Sequence, residues 1–134
     1  MKEEQLHYLI CMYIKNQYPK VLFNTDLSGV RLPYNLAKKV SKLRSNRGFP
    51  DIGIYESKRG FSGLFLEVKK ESPFRKDGEL KTDKHIKEQS IMHDMLRIRN
   101  YQVHFVWDFD QAKVLIDYYL NEDKRPKIKR TLLD

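Results

Sequence analysis

Two stretches in the first third of the chain repeat apolar residues at three- and four-residue spacing, which predicts two amphipathic helices. The first covers residues 2–17 and is ended by Pro19. Its apolar face consists of Leu6, Leu9, Ile10, Tyr13 and Ile14. The second opens at Pro33, because proline suits the first turn of a helix, and the polar sequence Arg44–Gly48 breaks it. Its apolar stripe, of the kind that faces a core, consists of Leu36, Ala37, Val40 and Leu43.

Two later helices follow the same periodicity and carry polar residues that can cap their first turns. Thr82 or Asp83 can cap the third helix, which runs to about Arg99. Asp108 or Asp110 can start the fourth. The apolar stripe of the fourth helix consists of Ala112, Leu115, Ile116, Tyr119 and Leu120.

Short apolar and alternating runs between these helices predict strands. The predicted strands are Val21–Asn24, Asp51–Tyr55, Gly63–Lys69 and Tyr101–Trp107. The second and third strands form a hairpin, with the turn at residues 56–62. Loops are expected at residues 25–32, around Ser28-Gly29, and at the polar stretch 71–81, which we expect to be mobile. The order α-β-α-β-β-α-β-α predicts an α/β fold in which helices flank a mixed sheet.

A length of 134 residues fits a single domain, and 40% hydrophobic residues favour a folded chain. We therefore expect one domain over residues 1–134, with the core over about 3–120. The remaining residues, 121–134, form a basic tail that contains Lys124–Arg130.

The charge balance gives the first indication of a partner. The chain has 26 Lys and Arg against 18 Asp and Glu, a net charge of +8. Such a balance favours binding to a polyanion such as nucleic acid, and phosphate contacts would make that binding weaken as salt rises. The alternative is a basic protein with no nucleic-acid role.

Cys11 is the single cysteine, so the sequence has neither an internal disulfide nor a cysteine-based zinc site. The longest apolar run, Tyr8–Ile14, is too short to span a bilayer. Glu3 and Glu4 are unlike the start of a signal peptide. We expect a cytoplasmic protein that does not bind membranes.

The segment from Gly48 to Lys69 carries the candidate chemistry. Glu67 and Lys69 lie two residues apart on one strand and therefore share a face, whereas Val68 points to the core. Asp51 opens the preceding strand, so pairing of the two strands would bring it beside Glu67. Two carboxylates suit Mg²⁺ or Mn²⁺, and a lysine can orient a water or stabilise transition-state charge.

Glu-x-Lys spacing is weak by itself, because the chain contains four such triplets. Only the triplet at Glu67 follows an apolar strand; the others begin at Glu56, Glu79 and Glu122, in polar turns or the tail. The alternative interpretation of Glu67 and Lys69 is an ion pair at a strand end.

Two further polar residues fall on apolar helix faces. Gln89 is either a boundary residue or points towards Glu67 and Lys69. It shares a helical face with Ile86, Met92, His93 and Leu96. Glu3 is either exposed at the first turn or a third metal ligand. The histidines show no metal-ligand spacing, and His85 and His93 are interpreted as boundary residues.

Taken in order, these residues resemble the VRR-NUC branch of the PD-(D/E)XK nucleases. The resemblance covers roughly residues 3–120 and rests on Glu3, Tyr18-Pro19, Asn24, Gly48-x-Pro50-Asp51, Glu67-x-Lys69 and Gln89. The chain departs from the pattern at His7, where this branch often has glutamine. The resemblance implies a restriction-endonuclease-like core and metal-dependent phosphodiester hydrolysis.

The resemblance also implies roles for individual residues. The implied catalytic residues are Asp51, Glu67, Lys69 and Gln89. The implied ligands of Mg²⁺ or Mn²⁺ are Asp51, Glu67, Glu3 and the backbone carbonyl of Val68.

The sequence thus predicts a DNA endonuclease that selects branched or four-way junction DNA. Standalone members of the branch are similar to Holliday-junction resolvases and can be homodimers. The alternatives are a non-catalytic nucleic-acid-binding protein that keeps the fold, and an accessory subunit that works with a helicase or recombinase.

Two groups of basic residues are candidates for contacts to DNA phosphates. The first group consists of Lys38, Lys39, Lys42, Arg44 and Arg47, and its alternative role is a solvated helix face. The second consists of Lys70, Arg75, Lys76, Lys81 and Lys84, in or beside the loop at 71–81.

Overall fold

The computed structural model describes residues 1–26 and 31–121, with helices and strands in the predicted order. The helices are α1 (Glu3–Gln17), α2 (Tyr34–Leu43), α3 (Lys84–Ile98) and α4 (Phe109–Leu120). The strands are β1 (Phe23–Thr25), β2 (Ile52–Ile54), β3 (Gly63–Val68) and β4 (Tyr101–Val106). The loop prediction at Ser28-Gly29 and the prediction of a basic tail after Asn121 lie outside the described residues.

The strands form one mixed sheet in the order β1-β2-β3-β4. β2 is antiparallel to β1 and to β3, whereas β3 and β4 are parallel and are connected through α3. Every residue of β3 is buried, which explains its nearly continuous apolar sequence. The predicted α/β class, mixed sheet and hairpin are therefore confirmed.

Helices cover both faces of the sheet. On one face, α1 and α4 pack against Leu64, Leu66 and Val68 of β3. On the other, α3 packs against Phe65 and Val103. Because side chains alternate along a strand, Glu67 falls on the α3 side with Phe65. This alternation decides which helix covers the candidate site.

Side-chain caps fix the start of the two later helices. Asp83 accepts hydrogen bonds from the backbone N–H groups of His85 and Ile86 at the start of α3. Asp108 accepts one from the N–H of Gln111 at the start of α4. Each satisfies backbone donors that the first turn of a helix leaves free. No helix among residues 1–26 and 31–121 has the length and apolarity needed to cross a bilayer.

Helix α2 forms where it is predicted but does not pack as its apolar stripe predicts. None of its residues is buried, and Tyr34 and Leu43 are each 78% exposed. The helix connects β1 to β2 at one edge of the sheet, outside the two layers that α1, α4 and α3 already fill. Its apolar face is therefore left uncovered by the described residues.

The polar stretch 71–81 has more structure than a mobile loop. Phe74 and Leu80 form a β-bridge, and the N–H of Lys81 donates to the carbonyl of Pro73 at 2.8 Å. The Phe74 ring meets Phe105 and Trp107 edge to face, with centroids 6.2 and 6.0 Å away. A single aromatic side chain anchors the segment to β4, which its polar composition does not predict.

Candidate active site

The hairpin brings the two candidate carboxylates together. Ile52 pairs with Leu66, so Asp51 comes opposite Glu67 one position further along. Asp51 is 6% exposed and Glu67 is 2% exposed. The backbone N–H of Val68 donates to Asp51 Oδ2 at 2.8 Å, while the Val68 side chain lies in the core. The carboxylates thus lie side by side as the hairpin predicts; their catalytic role stays a prediction.

The buried pair holds a proton. Burial and the neighbouring Asp51 carboxylate raise the pKa of Glu67 to about 10. Burial also raises the pKa of Asp51, although hydrogen bonds from Glu67 and from the Val68 N–H oppose the shift. Glu67 is therefore the protonated partner, and its carboxyl group donates a hydrogen bond to Asp51. Two carboxyl groups that are buried side by side do not both ionise readily, so a cation bound between them would favour ionisation of both.

His93 completes this arrangement from α3. Its side chain is fully buried, and its Nε2 lies 3.1 Å from Glu67 Oε1. Burial, followed by the charge of Arg97, lowers the pKa of His93 to about 3, so the ring is neutral. Because the Glu67 hydroxyl is used in the hydrogen bond to Asp51, Nε2–H of His93 donates a hydrogen bond to Oε1 of Glu67. The ring packs on Phe105, with centroids 4.5 Å apart.

The interpretation of His93 as a boundary residue is therefore wrong. The signal that identifies it is its position four residues after Gln89, on the inward face of α3 above the Glu67 side of β3. Its Nδ1 is buried and has no hydrogen-bond partner among the described residues. A buried acceptor left unpaired costs roughly 1–3 kcal/mol, a cost more often retained at functional sites than elsewhere.

An open cleft of about 420 Å³ lies beside the carboxylate pair, and Glu3, Lys69 and Gln89 line it. The N–H of Lys69 donates to the Val106 carbonyl at 2.8 Å, which continues the β3–β4 pairing and holds the lysine at the cleft. Oε1 of Gln89 is buried without a partner among the described residues. Gln89 is partly exposed, as expected of a boundary residue, while its Oε1 atom is buried on the side of the cleft.

Glu3 lies at the exposed first turn of α1 and still lines the cleft. Burial raises the pKa of Glu3; the charge of Lys69 opposes this, and the charge of Asp51 adds to it. Glu4 lines a different pocket, with Tyr8 and Leu9. Within residues 1–26 and 31–121, no three His, Cys, Asp or Glu side chains form a group that could hold a metal ion. Glu3 therefore lines the cleft near Asp51 and Glu67 but does not form a group of three metal-ligating side chains with them.

The backbone of Asp51 is held by residues from β1 and α1. The hydroxyl of Thr25 and the N–H of Asp26 donate to its carbonyl at 3.1 and 2.7 Å. Nε2 of His7 lies 2.5 Å from Thr25 Oγ1 and donates to it, because the hydroxyl proton is already used. His7 stands where the resembled pattern often has glutamine, and it supports Asp51 through Thr25. Its position four residues after Glu3, on the same side of α1, is the sequence signal for this role.

The backbone at Gly48, just before the Pro50-Asp51 turn, leaves no room for a side chain. Its φ is +84°, and an added Cβ would lie 2.9 Å from the carbonyl oxygen of Glu88 and 3.3 Å from Cα of Gln89. Only a residue without a side chain lets the turn lie this close to α3. The contact fixes Asp51 relative to the helix that carries Gln89 and His93.

The predicted phosphate-contacting residues differ in their solvent exposure and in whether they already form ion pairs within the chain. Lys38, Lys42 and Arg47 are exposed on or after α2, and Lys76 is exposed in the 71–81 segment. Lys70 lines the cleft. Two arginines are engaged within the chain and are less available than predicted: Arg44 forms an ion pair with Asp26, and Arg75 lies 3.2 Å from Asp77.

Comparison with known proteins gives a structural match. No protein-family profile and no curated protein sequence matches the chain. A solved structure described as a VRR_NUC domain protein superimposes with a TM-score of 0.63 at 20% identity, covering 90% of this chain and 88% of that one. At this level of identity the match concerns the fold, and the chain has the fold of a VRR_NUC domain protein.

Proposed function

We propose that this chain is a divalent-metal-dependent DNA endonuclease of the VRR-NUC type, with Asp51, Glu67 and Lys69 at its active site. The observation that carries the proposal is the buried pair of Asp51 and Glu67, which the hairpin holds side by side, two residues from Lys69 at the open cleft. Apolar side chains often support a fold as well as or better than buried ionisable groups, so a purely structural role gives little reason for two carboxyl groups at this place. The likeness of the fold to a VRR_NUC domain protein adds to this argument.

The donor set fits Mg²⁺ or Mn²⁺. Asp51 and Glu67 offer hard oxygen ligands, and Mg²⁺ is commonly held by one or two carboxylates plus water and substrate phosphate. The Val68 carbonyl and Glu3 are further candidates for ligands. When bound, the ion supplies Lewis acidity and lowers the pKa of a water molecule.

The chain's own side chains would do the remaining work. Lys69 extends a flexible ammonium group into the cleft, where it can orient a water or neutralise charge on the phosphate in the transition state. The unpaired Oε1 of Gln89 can accept a hydrogen bond from that water. His93 holds Oε1 of Glu67 and fixes the orientation of the carboxylate.

Contacts to DNA would come from the exposed basic residues on both sides of the cleft. Lys70 and Lys81 line the cleft itself, which would place them near the scissile phosphate. Lys38, Lys42, Arg47 and Lys76 lie further out, on surfaces exposed to solvent. The ion-paired Arg44 and Arg75 would need to exchange a carboxylate for a phosphate to take part.

A second copy of the chain is the protein partner that we favour. The apolar side chains Leu36 and Leu43 of α2 are 46% and 78% exposed, an arrangement typical of a helix that packs on another protein. Two symmetric active sites would suit paired cuts in a four-way junction. A helicase or recombinase is the alternative partner for the same helix face.

The test is a cleavage assay on labelled four-way junction, flap and linear duplex of matched sequence. Cleavage should require added Mg²⁺ or Mn²⁺, stop in excess chelator, and be faster for branched DNA than for duplex. Light scattering after size exclusion measures the oligomeric state. Binding to all three substrates with no cleavage in either metal would contradict the nuclease assignment. Equal rates on junction and duplex would contradict structure selectivity alone.

A further inference from the structure

A second open cavity, of about 600 Å³, lies on the outer side of β4 between α3 and α4. β4 is the outermost described strand at that side of the sheet. Phe74, Phe105 and Trp107 give the cavity an aromatic wall. Arg97 and His104 lie on one side of it, and Asp108 is at its rim.

Two of the three rings of the aromatic wall, Phe74 and Trp107, reach solvent, whereas Phe105 is buried. Phe74 is 38% exposed, and Trp107 is partly buried, although rings of this size bury readily in a core. The two rings hold each other edge to face at 6.0 Å, so each limits the motion of the other. Rigid exposed rings of this kind are the surfaces on which proteins stack unpaired nucleobases.

The cavity lies next to the cleft of the candidate active site. Pro73 lines the cleft, and the following residue, Phe74, lines the cavity. Lys69 is hydrogen-bonded to Val106, the residue immediately before Trp107. A strand of DNA with a phosphate at Lys69 would therefore pass close to the aromatic wall.

The charges around the cavity favour a base over a phosphate. Asp108 and Asp110 line the cavity, and their carboxylates would repel a phosphate. The guanidinium of Arg97 is occupied, since it donates to Asp94 at 3.2 Å and to the Val103 carbonyl at 2.9 Å. Carboxylates accept hydrogen bonds from the amino groups of bases, which is compatible with a base lying between them and the rings.

We propose that this cavity binds an unpaired nucleobase of the DNA substrate, stacked on Trp107 and Phe74. The proposal rests on the proposed function, because it takes DNA as the substrate. Unpaired bases occur in flaps and single-stranded ends and not within intact duplex. The cavity therefore gives a physical origin for a preference for flaps over duplex.

Trp107 is the only tryptophan in the chain, so its fluorescence reports directly on stacking. The test titrates single-stranded DNA into the wild-type protein in chelator, where metal-dependent cleavage does not interfere. An oligonucleotide of equal length made of abasic sites carries the same phosphates without bases. Anisotropy of a labelled strand measures how much of each is bound.

Bound single strands should quench Trp107, whereas the abasic strand at equal occupancy should leave its emission nearly unchanged. Equal quenching by the two strands would overturn the proposal, because phosphate contacts alone would then explain it. Failure of single strands to bind would overturn it as well.

Variants give a second readout that does not depend on the tryptophan signal. Trp107→Leu and Phe74→Leu should each weaken binding of single-stranded DNA roughly tenfold, in line with the contribution of one stacked base. Trp107→Phe keeps a ring and should retain most of the affinity. Tyr8→Leu, which removes an aromatic side chain that is 63% exposed on α1, is the matched control and should bind as the wild type does.

The outcomes separate this proposal from the nuclease assignment. Base-dependent quenching in a protein that cuts no DNA would support the stacking site and contradict catalysis. Cleavage of flaps with unchanged rate and affinity in Trp107→Leu would leave the nuclease intact and overturn the stacking site.

Discussion

The proton held by Glu67 makes the stability of the metal-free protein depend on pH. In the folded chain the pKa of Glu67 is about 10, against an ordinary value of 4.5. Between these values the folded chain binds one more proton than the unfolded chain at this group. The free energy of unfolding therefore has its full contribution from Glu67 below the lower value and loses it as pH rises through the window.

Glu67→Gln isolates this effect. Glutamine has nearly the same shape, can donate to Asp51 and accept from His93, and carries no titratable proton. One proton corresponds to about 1.4 kcal/mol per pH unit, so wild type should lose about 3 kcal/mol more than the variant between about pH 6 and about pH 8. The variant should be the more stable protein at the upper end of this range.

The assay is chemical denaturation in chelator at a series of pH values, followed by circular dichroism, for wild type, Glu67→Gln and the control Glu4→Gln. Glu4 is an exposed carboxylate on α1 outside the cleft. The difference in unfolding free energy between wild type and Glu67→Gln should grow with pH, and that between wild type and the control should not. Parallel pH profiles for wild type and Glu67→Gln would refute the assignment of a buried, protonated Glu67.

Other consequences of the site can be measured separately. Gly48→Ala should lower the free energy of unfolding by more than Gly78→Ala, by about 1–3 kcal/mol, because both glycines have positive φ and only Gly48 has backbone 2.9 Å from the added Cβ. Thermal melts compare the two, and equal losses would contradict the close contact with α3. His93→Leu should weaken Mn²⁺ binding by calorimetry about tenfold, and His93→Gln, which keeps an N–H donor, should weaken it less. Unchanged affinity in the leucine variant would show that His93 does not orient Glu67. Lys70→Ala should lower the slope of log affinity against log salt by about one phosphate contact. An unchanged slope would place Lys70 away from the DNA.

Periodicity predicted the order of helices and strands well because each segment has one clear apolar face. The hairpin prediction also placed Asp51 opposite Glu67, since alternation fixes which side chains share a face once two strands pair. These are local properties, and a single sequence carries them.

The features that were missed depend on tertiary packing. The stripe of α2 shows that the helix has an apolar face but cannot show what covers it. His93 was interpreted as a boundary residue because the histidines lack metal-ligand spacing, yet its partner Glu67 on β3 makes its burial possible. Phe74 is the one aromatic residue in a polar segment, and its packing on Phe105 and Trp107 depends on a strand some 30 residues later in the chain.

The central claim is that Asp51 and Lys69 carry out chemistry and do not serve only for folding or DNA binding. Single-turnover cleavage of a labelled flap or junction in Mg²⁺ or Mn²⁺ tests it most directly, in wild type, Asp51→Asn, Lys69→Met and the control Lys87→Met, an exposed lysine of α3. We predict that the first two variants bind the DNA with nearly wild-type affinity and lose cleavage by a hundredfold or more, roughly the loss on removing one transition-state contact, while the control cuts normally. Undiminished cleavage by Asp51→Asn or Lys69→Met would contradict the account.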